Sequence, residues 1–224
     1  MRKPPITETE EIFDIELEED LLNRNRELAE ANRRLLDEHG VRGLDVLGSI
    51  GSGKTTLVTE MIKRLKGRME VAVLAGDLTT MIDAERIEEQ GVPVLQIHTG
   101  KECHLDANLV RKALAELDLD GVDLLMIENV GNLICPSYFS LGVEARIVVV
   151  SASEGAHVIE KHPAMFQSAQ LVALNKIDIA QAVNVDLAQP IADLAAMRPG
   201  LRVLKTNCLS GEGVDGVIAA LDLA

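Results

Sequence analysis

A glycine-rich motif of the form G-x-x-x-x-G-K-T occupies residues 48–55 and limits the folds open to this chain. It follows the apolar run GLDVLG and opens the helical pattern TTLVTEMIKRLK. A glycine-rich loop between a buried strand and a helix can turn its backbone N–H groups around phosphate groups, and the helix N-terminus adds partial positive charge. The motif in this context predicts a P-loop.

The motif also assigns roles to individual residues. We expect Lys54 to meet the β- and γ-phosphates and the Thr55 hydroxyl to bind Mg²⁺. The candidate nucleotide ligands of this segment are Gly48, Ser49, Ile50, Gly51, Ser52, Gly53, Lys54, Thr55 and Thr56.

Short apolar runs alternate with helical patterns from Gly43 onwards. The runs are GLDVLG, VAVLAG, VPVLQI, DLLMIE, ARIVVVS, AQLVALN and LRVLKT. Strands buried on both faces give continuous apolar runs, and helical crossovers between them produce parallel pairing. We therefore predict a three-layer α/β P-loop NTPase over residues 43–224, with a mostly parallel sheet of about seven strands.

The segment before this domain reads as a long amphipathic helix over residues 9–38, within an N-terminal helical extension of residues 1–42. Leu21, Leu28 and Leu35 recur at intervals of seven residues. This pattern favours packing on the outside of the domain, with pairing against another helix as the alternative.

The charge balance bears on partners and location. The net charge is -14, from 36 acidic and 22 basic residues, which argues against binding to nucleic acid or to an anionic membrane. The first residues contain no apolar signal region, and no run approaches the ~18 apolar residues of a membrane span. We expect a cytoplasmic protein whose three cysteines are free thiols.

Two carboxylates end predicted strands and are candidates for catalysis and for Mg²⁺ binding with Lys54 and Thr55. Glu128 ends DLLMIE three residues before Gly131, like the acidic residue of a Walker B strand. A carboxylate after four apolar residues needs a cation or hydrogen bonds, although a surface or capping role is the alternative. Asp77 follows VAVLAG and could hold Mg²⁺ waters or the attacking water, or act as an ordinary N-cap.

The sequence N-K-I-D at residues 175–178 predicts the nucleotide base. Guanine presents N1–H and its exocyclic amine together, and Asp178 could accept from both, whereas adenine lacks this pattern. Asn175 would contact the ring and brace neighbouring loops, while the Lys176 stem would lie on the base. GTP is therefore the expected nucleotide. A later loop adds three weaker candidate base contacts: Asn207, Cys208 and Leu209.

A cysteine stands directly beside a histidine at Cys103-His104. Taken alone, the pair is weak evidence for a metal site, because a structural zinc site uses four ligands at spacings such as Cys-x₂-Cys. A buried thiol beside a surface imidazole is the simpler interpretation.

The order of motifs nevertheless resembles one family, the HypB GTPases of hydrogenase nickel incorporation, which are related to UreG in the SIMIBI class. The stretches that carry the resemblance are GSIGSGKTTL, GDLTTMIDAERI, IHTGKECHLDANLV, ENVGNLICPS, EGAHVIEKHP and NKID.

The resemblance implies a metal site at a GTP-dependent homodimer interface, formed by Cys103, His104 and Cys135. Two thiolates and an imidazole suit Ni²⁺ or Zn²⁺. In a two-fold symmetric dimer, each subunit could supply the same three ligands to one shared site. Lys161 is a candidate contact across that dimer, or else a solvated lysine. Asp106 could orient His104 or cap the next helix. His157 and His162 are expected to be surface residues.

The resemblance further implies a GTPase that acts as a nickel metallochaperone, with HypA and the hydrogenase large subunit as partners. No cysteine-rich or histidine-rich N-terminal tract is present, so storage of several nickel ions is not expected. Asn132 stands where a water-positioning glutamine would follow Gly131, which predicts slow hydrolysis. The alternatives are a small-metabolite kinase, a metal sensor or scaffold with incidental GTPase activity, and service to another nickel enzyme such as urease.

Overall fold

The seven apolar runs form the seven strands of one parallel sheet. The structure is a computed structural model that describes residues 12–77, 81–100 and 102–223, and it describes side chains from residue 19 onwards. The strands are β1 (Arg42–Gly48), β2 (Val71–Asp77), β3 (Val94–His98), β4 (Leu124–Glu128), β5 (Ala145–Ser151), β6 (Leu171–Asn175) and β7 (Arg202–Lys205). Their order is β3-β2-β4-β1-β5-β6-β7, and every pair is parallel. The predicted α/β architecture is confirmed.

Helices cover both faces of the sheet. They are α1 (Ile12–Glu38), α2 (Lys54–Leu65), α3 (Ile82–Glu88), α4 (Ala107–Leu114), α5 (Val158–Lys161), α6 (Pro163–Gln167), α7 (Ala188–Met197) and α8 (Val214–Ala220). One apolar cluster joins α2, α3 and α8 to one face. Two further clusters join α1 and α4, and then α5, α6 and α7, to the other face. The layers bury nearly all the apolar residues of the five inner strands, whereas those of the edge strands β3 and β7 are mostly half-buried. This packing fixes the positions of the strand ends that carry polar groups.

Helix α1 packs against the domain through a face that the leucine spacing does not describe. Its buried residues from position 19 onwards are Asn25, Ala29, Asn32 and Leu36. Leu21 is 57% exposed, and Leu28 and Leu35 are half-buried. The heptad leucines therefore flank the buried face. Strand β1 begins at Arg42, the last residue of the predicted extension. The division of the chain into an extension of residues 1–42 and a domain of residues 43–224 stays a prediction.

Two buried asparagines attach α1 to neighbouring backbone. Asn25 accepts from the Ala107 N–H at 2.8 Å and donates to the Ser140 carbonyl at 2.9 Å. Asn32 donates to the carbonyls of Ala107 and Leu141 at 2.8 and 3.1 Å. Buried backbone groups need such partners, so these side chains satisfy the start of α4 and the loop before β5.

No helix among the described residues combines the length and the apolar character needed to cross a bilayer.

Candidate nucleotide site and thiol-imidazole cluster

The predicted site residues gather at the carboxyl edge of the sheet. Gly48, Asp77, Glu128 and Asn175 are the last residues of β1, β2, β4 and β6. In parallel α/β sheets this edge, near the point where the strand order reverses, is where ligands bind. The fold therefore brings four separate motifs to one place.

The P-loop requires glycine at two positions with positive φ. Gly48 has φ 152°, and a Cβ there would collide with the Val149 carbonyl oxygen and lie 2.7 Å from Ser52 Oγ. Gly53 has φ 104°, and a Cβ there would collide with the Asn175 amide. These close approaches hold the loop between β5 and the N-K-I-D segment.

Lys54 is 7% exposed, and its Nζ donates to the Ser49 carbonyl at 3.1 Å across the loop. Burial lowers the pKa of Lys54, while the negative charges of Glu128 and Asp83 act in the opposite direction. A polyphosphate would supply the negative charge that this buried ammonium lacks.

Thr55 and Glu128 are joined directly, since the Thr55 hydroxyl donates to Glu128 Oε1 at 2.7 Å. The other carboxylate oxygen, Oε2, is buried and has no hydrogen-bond partner among the described residues. Burial raises the pKa of Glu128 to about 7. An unpartnered buried oxygen beside a P-loop hydroxyl fits a divalent cation, and oxygen is the donor that Mg²⁺ prefers.

A cleft of about 430 Å³ lies over these groups, and its walls include Lys54, Thr55, Asp77, Glu128 and Lys176. Asp83 and Arg86 of α3 also line it, although neither was singled out from the sequence. The sequence could have indicated both residues, because they lie in the charged segment that follows the end of β2. Arg86 adds a third cationic side chain to the walls of the cleft, beside Lys54 and Lys176.

Asn175 braces two loops, as the sequence suggested. Its amide donates to the Ser52 carbonyl at 2.8 Å, and its Oδ1 accepts from Thr206 Oγ1 at 3.2 Å and from the Cys208 N–H at 3.0 Å. Lys176 adopts a left-handed conformation with φ 58°, and Asp178 is exposed. The P-loop, the N-K-I-D segment and the loop after β7 therefore form one connected unit.

The three weaker candidates after β7 differ in access. Cys208 is 1% exposed with its thiol in the core, and burial raises its pKa to about 11. Asn207 Oδ1 accepts from the Leu209 N–H at 3.2 Å, and the Leu209 side chain is 88% exposed. Leu209 is thus the most exposed of the three and Asn207 is half-buried, and the base contacts stay predictions.

Cys103, His104 and Cys135 come together although 32 residues separate the two cysteines. One ligand atom from each lies within 4.8 Å of the others. The two Sγ atoms are 2.9 Å apart, and Cys103 Sγ lies 3.9 Å from His104 Nδ1. Two sulfurs and an imidazole at these separations fit a soft divalent cation. The structure thereby favours a metal site over the simpler interpretation of the Cys-His pair.

The surroundings of the cluster affect its ionisation. The hydrogen bond with Cys135 and then burial raise the pKa of the Cys103 thiol. Burial lowers the pKa of His104 against the opposing charges of Glu102 and Asp106, and this direction favours the neutral imidazole, the form that ligates metals. The His104 ring also packs against the Phe139 ring, with centroids 4.0 Å apart and ring planes tilted by 34°.

Three other residues singled out from the sequence have simpler roles. Asp106 is the N-cap of α4, because its Oδ1 accepts from the Leu109 N–H at 2.7 Å. His157 pairs with Glu160 at 3.0 Å on the surface. Lys161 is exposed at the end of α5, so its contact across a dimer stays a prediction.

Asn132 connects the phosphate loop to the cluster. Its backbone forms an isolated antiparallel bridge with Gly48, and its Nδ2 donates to the Cys103 carbonyl at 3.2 Å. Its Oδ1 accepts from the Ile134 N–H at 2.8 Å, one residue before Cys135. A Cβ at Gly131 would lie 2.5 Å from Ile50 Cγ1, so this segment also presses against the P-loop.

The parallel sheet, the P-loop and the buried Thr55–Glu128 pair define a P-loop nucleotide-binding protein. Residues 44–205 match the family model for the CobW/HypB/UreG nucleotide-binding domain. The probable hydrogenase maturation factor HypB of Methanocaldococcus jannaschii is 46% identical over 208 residues, which cover 93% of this chain and 94% of that protein. The chain therefore belongs to the CobW/HypB/UreG family, and within it to the HypB proteins.

Two solved structures support the same assignment. The hydrogenase maturation factor HypB of Archaeoglobus fulgidus is 40% identical with a TM-score of 0.83, over 89% of this chain and 98% of that one. HypB from Helicobacter pylori, solved in complex with nickel, is 31% identical with a TM-score of 0.85, over 89% and 94% of the two chains. The resemblance drawn from the motifs is confirmed.

Proposed function

We propose that this protein is a Mg²⁺-dependent GTPase that handles nickel during the maturation of a hydrogenase. Its similarity to a probable hydrogenase maturation factor and to a HypB solved with nickel supports this role. Nickel is cargo in this scheme, and GTP hydrolysis changes how tightly it is held.

The nucleotide part rests on the cleft at the sheet edge. The P-loop amides and Lys54 would bind the phosphates, and Thr55 and Glu128 would hold Mg²⁺, with Asp77 beside them. The exposed Asp178 carboxylate would select guanine, because adenine offers no matching pair of donors. Mg²⁺ supplies neutralising charge at the β- and γ-phosphates, while the chain's own residues orient GTP for attack by water.

The metal part rests on an incomplete ligand set. Cys103, His104 and Cys135 offer three ligand atoms, whereas Ni²⁺ and Zn²⁺ usually take four or more. A two-fold axis beside the cluster would bring a second set of the same three ligands, and Lys161 could form a contact across that dimer. A homodimer that forms with GTP would complete the site.

The observation that carries the proposal is the position of Asn132 between the two sites. Its backbone pairs with Gly48, and its side chain holds the Cys103 carbonyl and the Ile134 N–H. A rearrangement of the P-loop region on GTP binding or hydrolysis would therefore move both cysteines.

Hydrolysis by the isolated protein should be slow. The Asn132 side chain is engaged with Cys103 and Ile134, so it does not position water as a glutamine would. A maturation partner such as HypA, or the hydrogenase large subunit as recipient, would then set when nickel is released.

The test is to measure Ni²⁺ and Zn²⁺ affinity and the monomer–dimer equilibrium with GDP and with a non-hydrolysable GTP analogue. We expect Cys103→Ala and His104→Ala to weaken metal binding at least tenfold and to remove its nucleotide dependence, because even groups that only orient a ligand contribute about 10- to 100-fold. His157→Ala is the matched control, because this exposed histidine lies outside the cluster. Unchanged metal affinity and stoichiometry in Cys103→Ala would show that the cluster is not the nickel site.

A further inference from the structure

A buried ion pair lies behind the cluster, on the central strands of the sheet. Asp45 of β1 and Arg146 of β5 are register partners, 0% and 8% exposed. Arg146 Nε donates to Asp45 Oδ2 at 3.0 Å. Buried ion pairs are seldom worth more to stability than an apolar pair of similar volume, so this one calls for another explanation.

Asp45 is connected through Asn129 to the peptide group that follows His104. Asn129 donates from Nδ2 to Asp45 Oδ1 at 3.2 Å. The Oδ1 of Asn129 accepts from the Leu105 N–H at 3.1 Å, and Leu105 is bonded directly to His104. Asp45 therefore orients the asparagine that fixes this peptide plane.

Arg146 connects the pair to the backbone of Phe139, whose ring packs against His104. Arg146 Nη2 donates to the Phe139 carbonyl at 2.9 Å, and Phe139 and His104 have ring centroids 4.0 Å apart. Arg146 Nη1 has a third partner, Ser168 Oγ, at 2.8 Å, which leads away from the cluster. The guanidinium thus fixes the Phe139 backbone with a rigid planar fork.

We propose that Asp45, Arg146 and Asn129 form a buried positioning network that holds the His104 imidazole in its metal-binding orientation. This inference rests on the proposed function, since it assumes that His104 is a ligand. The network bonds to the backbone on either side of the imidazole, at Leu105 and at Phe139, and the imidazole nitrogens are left for the metal. Outer groups that orient ligands commonly contribute 10- to 100-fold to metal affinity.

The test separates positioning from folding. In the double variant Asp45→Leu with Arg146→Met, apolar side chains replace the ion pair, which limits the loss of stability to that of the hydrogen bonds to Asn129, Phe139 and Ser168, so the protein should still unfold cooperatively in urea. Its Ni²⁺ affinity should nevertheless fall about 10- to 100-fold, and its Co²⁺ complex should show a displaced thiolate-to-metal absorption band. Asn129→Ala should show the same two metal effects, and both are measured without nucleotide because Asn129 also lines the cleft.

Ser168→Ala is the matched control, because it removes a guanidinium contact of Arg146 that leads away from His104. It should bind Ni²⁺ and Co²⁺ as the wild type does. Wild-type affinity and an unshifted Co²⁺ band in the double variant would overturn the proposal, and Asn129→Ala decides in the same way if the double variant does not fold. Wild-type metal binding by Cys103→Ala would instead remove the nickel site itself, and the network with it.

Discussion

The Thr55 hydroxyl donates a 2.7 Å hydrogen bond to Glu128 Oε1, and Glu128 Oε2 stays buried without a partner among the described residues. The strand order creates this relationship, because β4 lies beside β1, whose end leads into the P-loop. The carboxylate is thus held against the P-loop with one oxygen still available to a cation. This geometry favours Mg²⁺ binding together with nucleotide.

Glu128 should make the metal-free protein less stable as the pH rises. Its folded pKa is about 7 against an ordinary 4.5, so the folded state keeps a proton that the unfolded state releases. Stability is then lost between about pH 4.5 and pH 7, by roughly 3 kcal/mol in all. The free energy of unfolding of Glu128→Gln, relative to that of the wild type, should increase by roughly 2 to 3 kcal/mol between pH 5 and pH 8. Urea unfolding with a chelator and without nucleotide measures this, and a difference independent of pH would contradict it.

Asp178→Asn should change the base that is bound. Without the carboxylate, guanine's two donors lose their shared acceptor, and preference for GTP over ATP should fall about 100-fold. Xanthine carries a carbonyl in place of the exocyclic amine, so the new amide should favour xanthosine triphosphate. Competition binding with the three nucleotides tests both effects. Undiminished preference for GTP would move base recognition to other residues.

Asn132→Ala should uncouple the nucleotide site from the Cys103, His104 and Cys135 cluster. The substitution removes the bonds to the Cys103 carbonyl and the Ile134 N–H while leaving the P-loop sequence intact. We expect guanine nucleotides to bind as before, Ni²⁺ affinity to fall about 3- to 10-fold, and the difference in Ni²⁺ affinity between the GDP and GTP-analogue states to disappear. Isothermal titration in each nucleotide state measures this. Retention of the wild-type difference would exclude Asn132 as the connection.

Gly142→Ala should loosen α1 from the domain. Gly142 has φ 88°, and a Cβ there would collide with the Ala29 carbonyl and lie 2.9 Å from Asn32 Cβ. Gly200 has φ 89° with nothing within 4 Å, so Gly200→Ala carries the backbone strain without the collision. We expect a loss of about 1 kcal/mol for Gly200→Ala and roughly 2 to 4 kcal/mol for Gly142→Ala. Equal losses in urea unfolding would show that α1 moves without cost.

Contiguous signals in the sequence were sufficient for the architecture and for the phosphate site. The seven apolar runs predict seven strands because a strand buried on both faces needs apolar residues throughout. The G-x-x-x-x-G-K-T motif predicts its own loop, since positive φ at Gly48 and Gly53 is available to glycine at little cost. Both kinds of signal lie within a few neighbouring residues.

The remaining features depend on which distant segments meet. The heptad leucines suggested one face of α1, but Asn25 and Asn32 lie on the buried face because partners in α4 and the 140–142 loop satisfy their amides. The Asp45–Arg146 pair likewise arises only because β1 and β5 are neighbours. Local patterns give the elements and the phosphate loop, whereas buried polar groups acquire their partners from the tertiary structure, since desolvation makes an unpaired polar group costly.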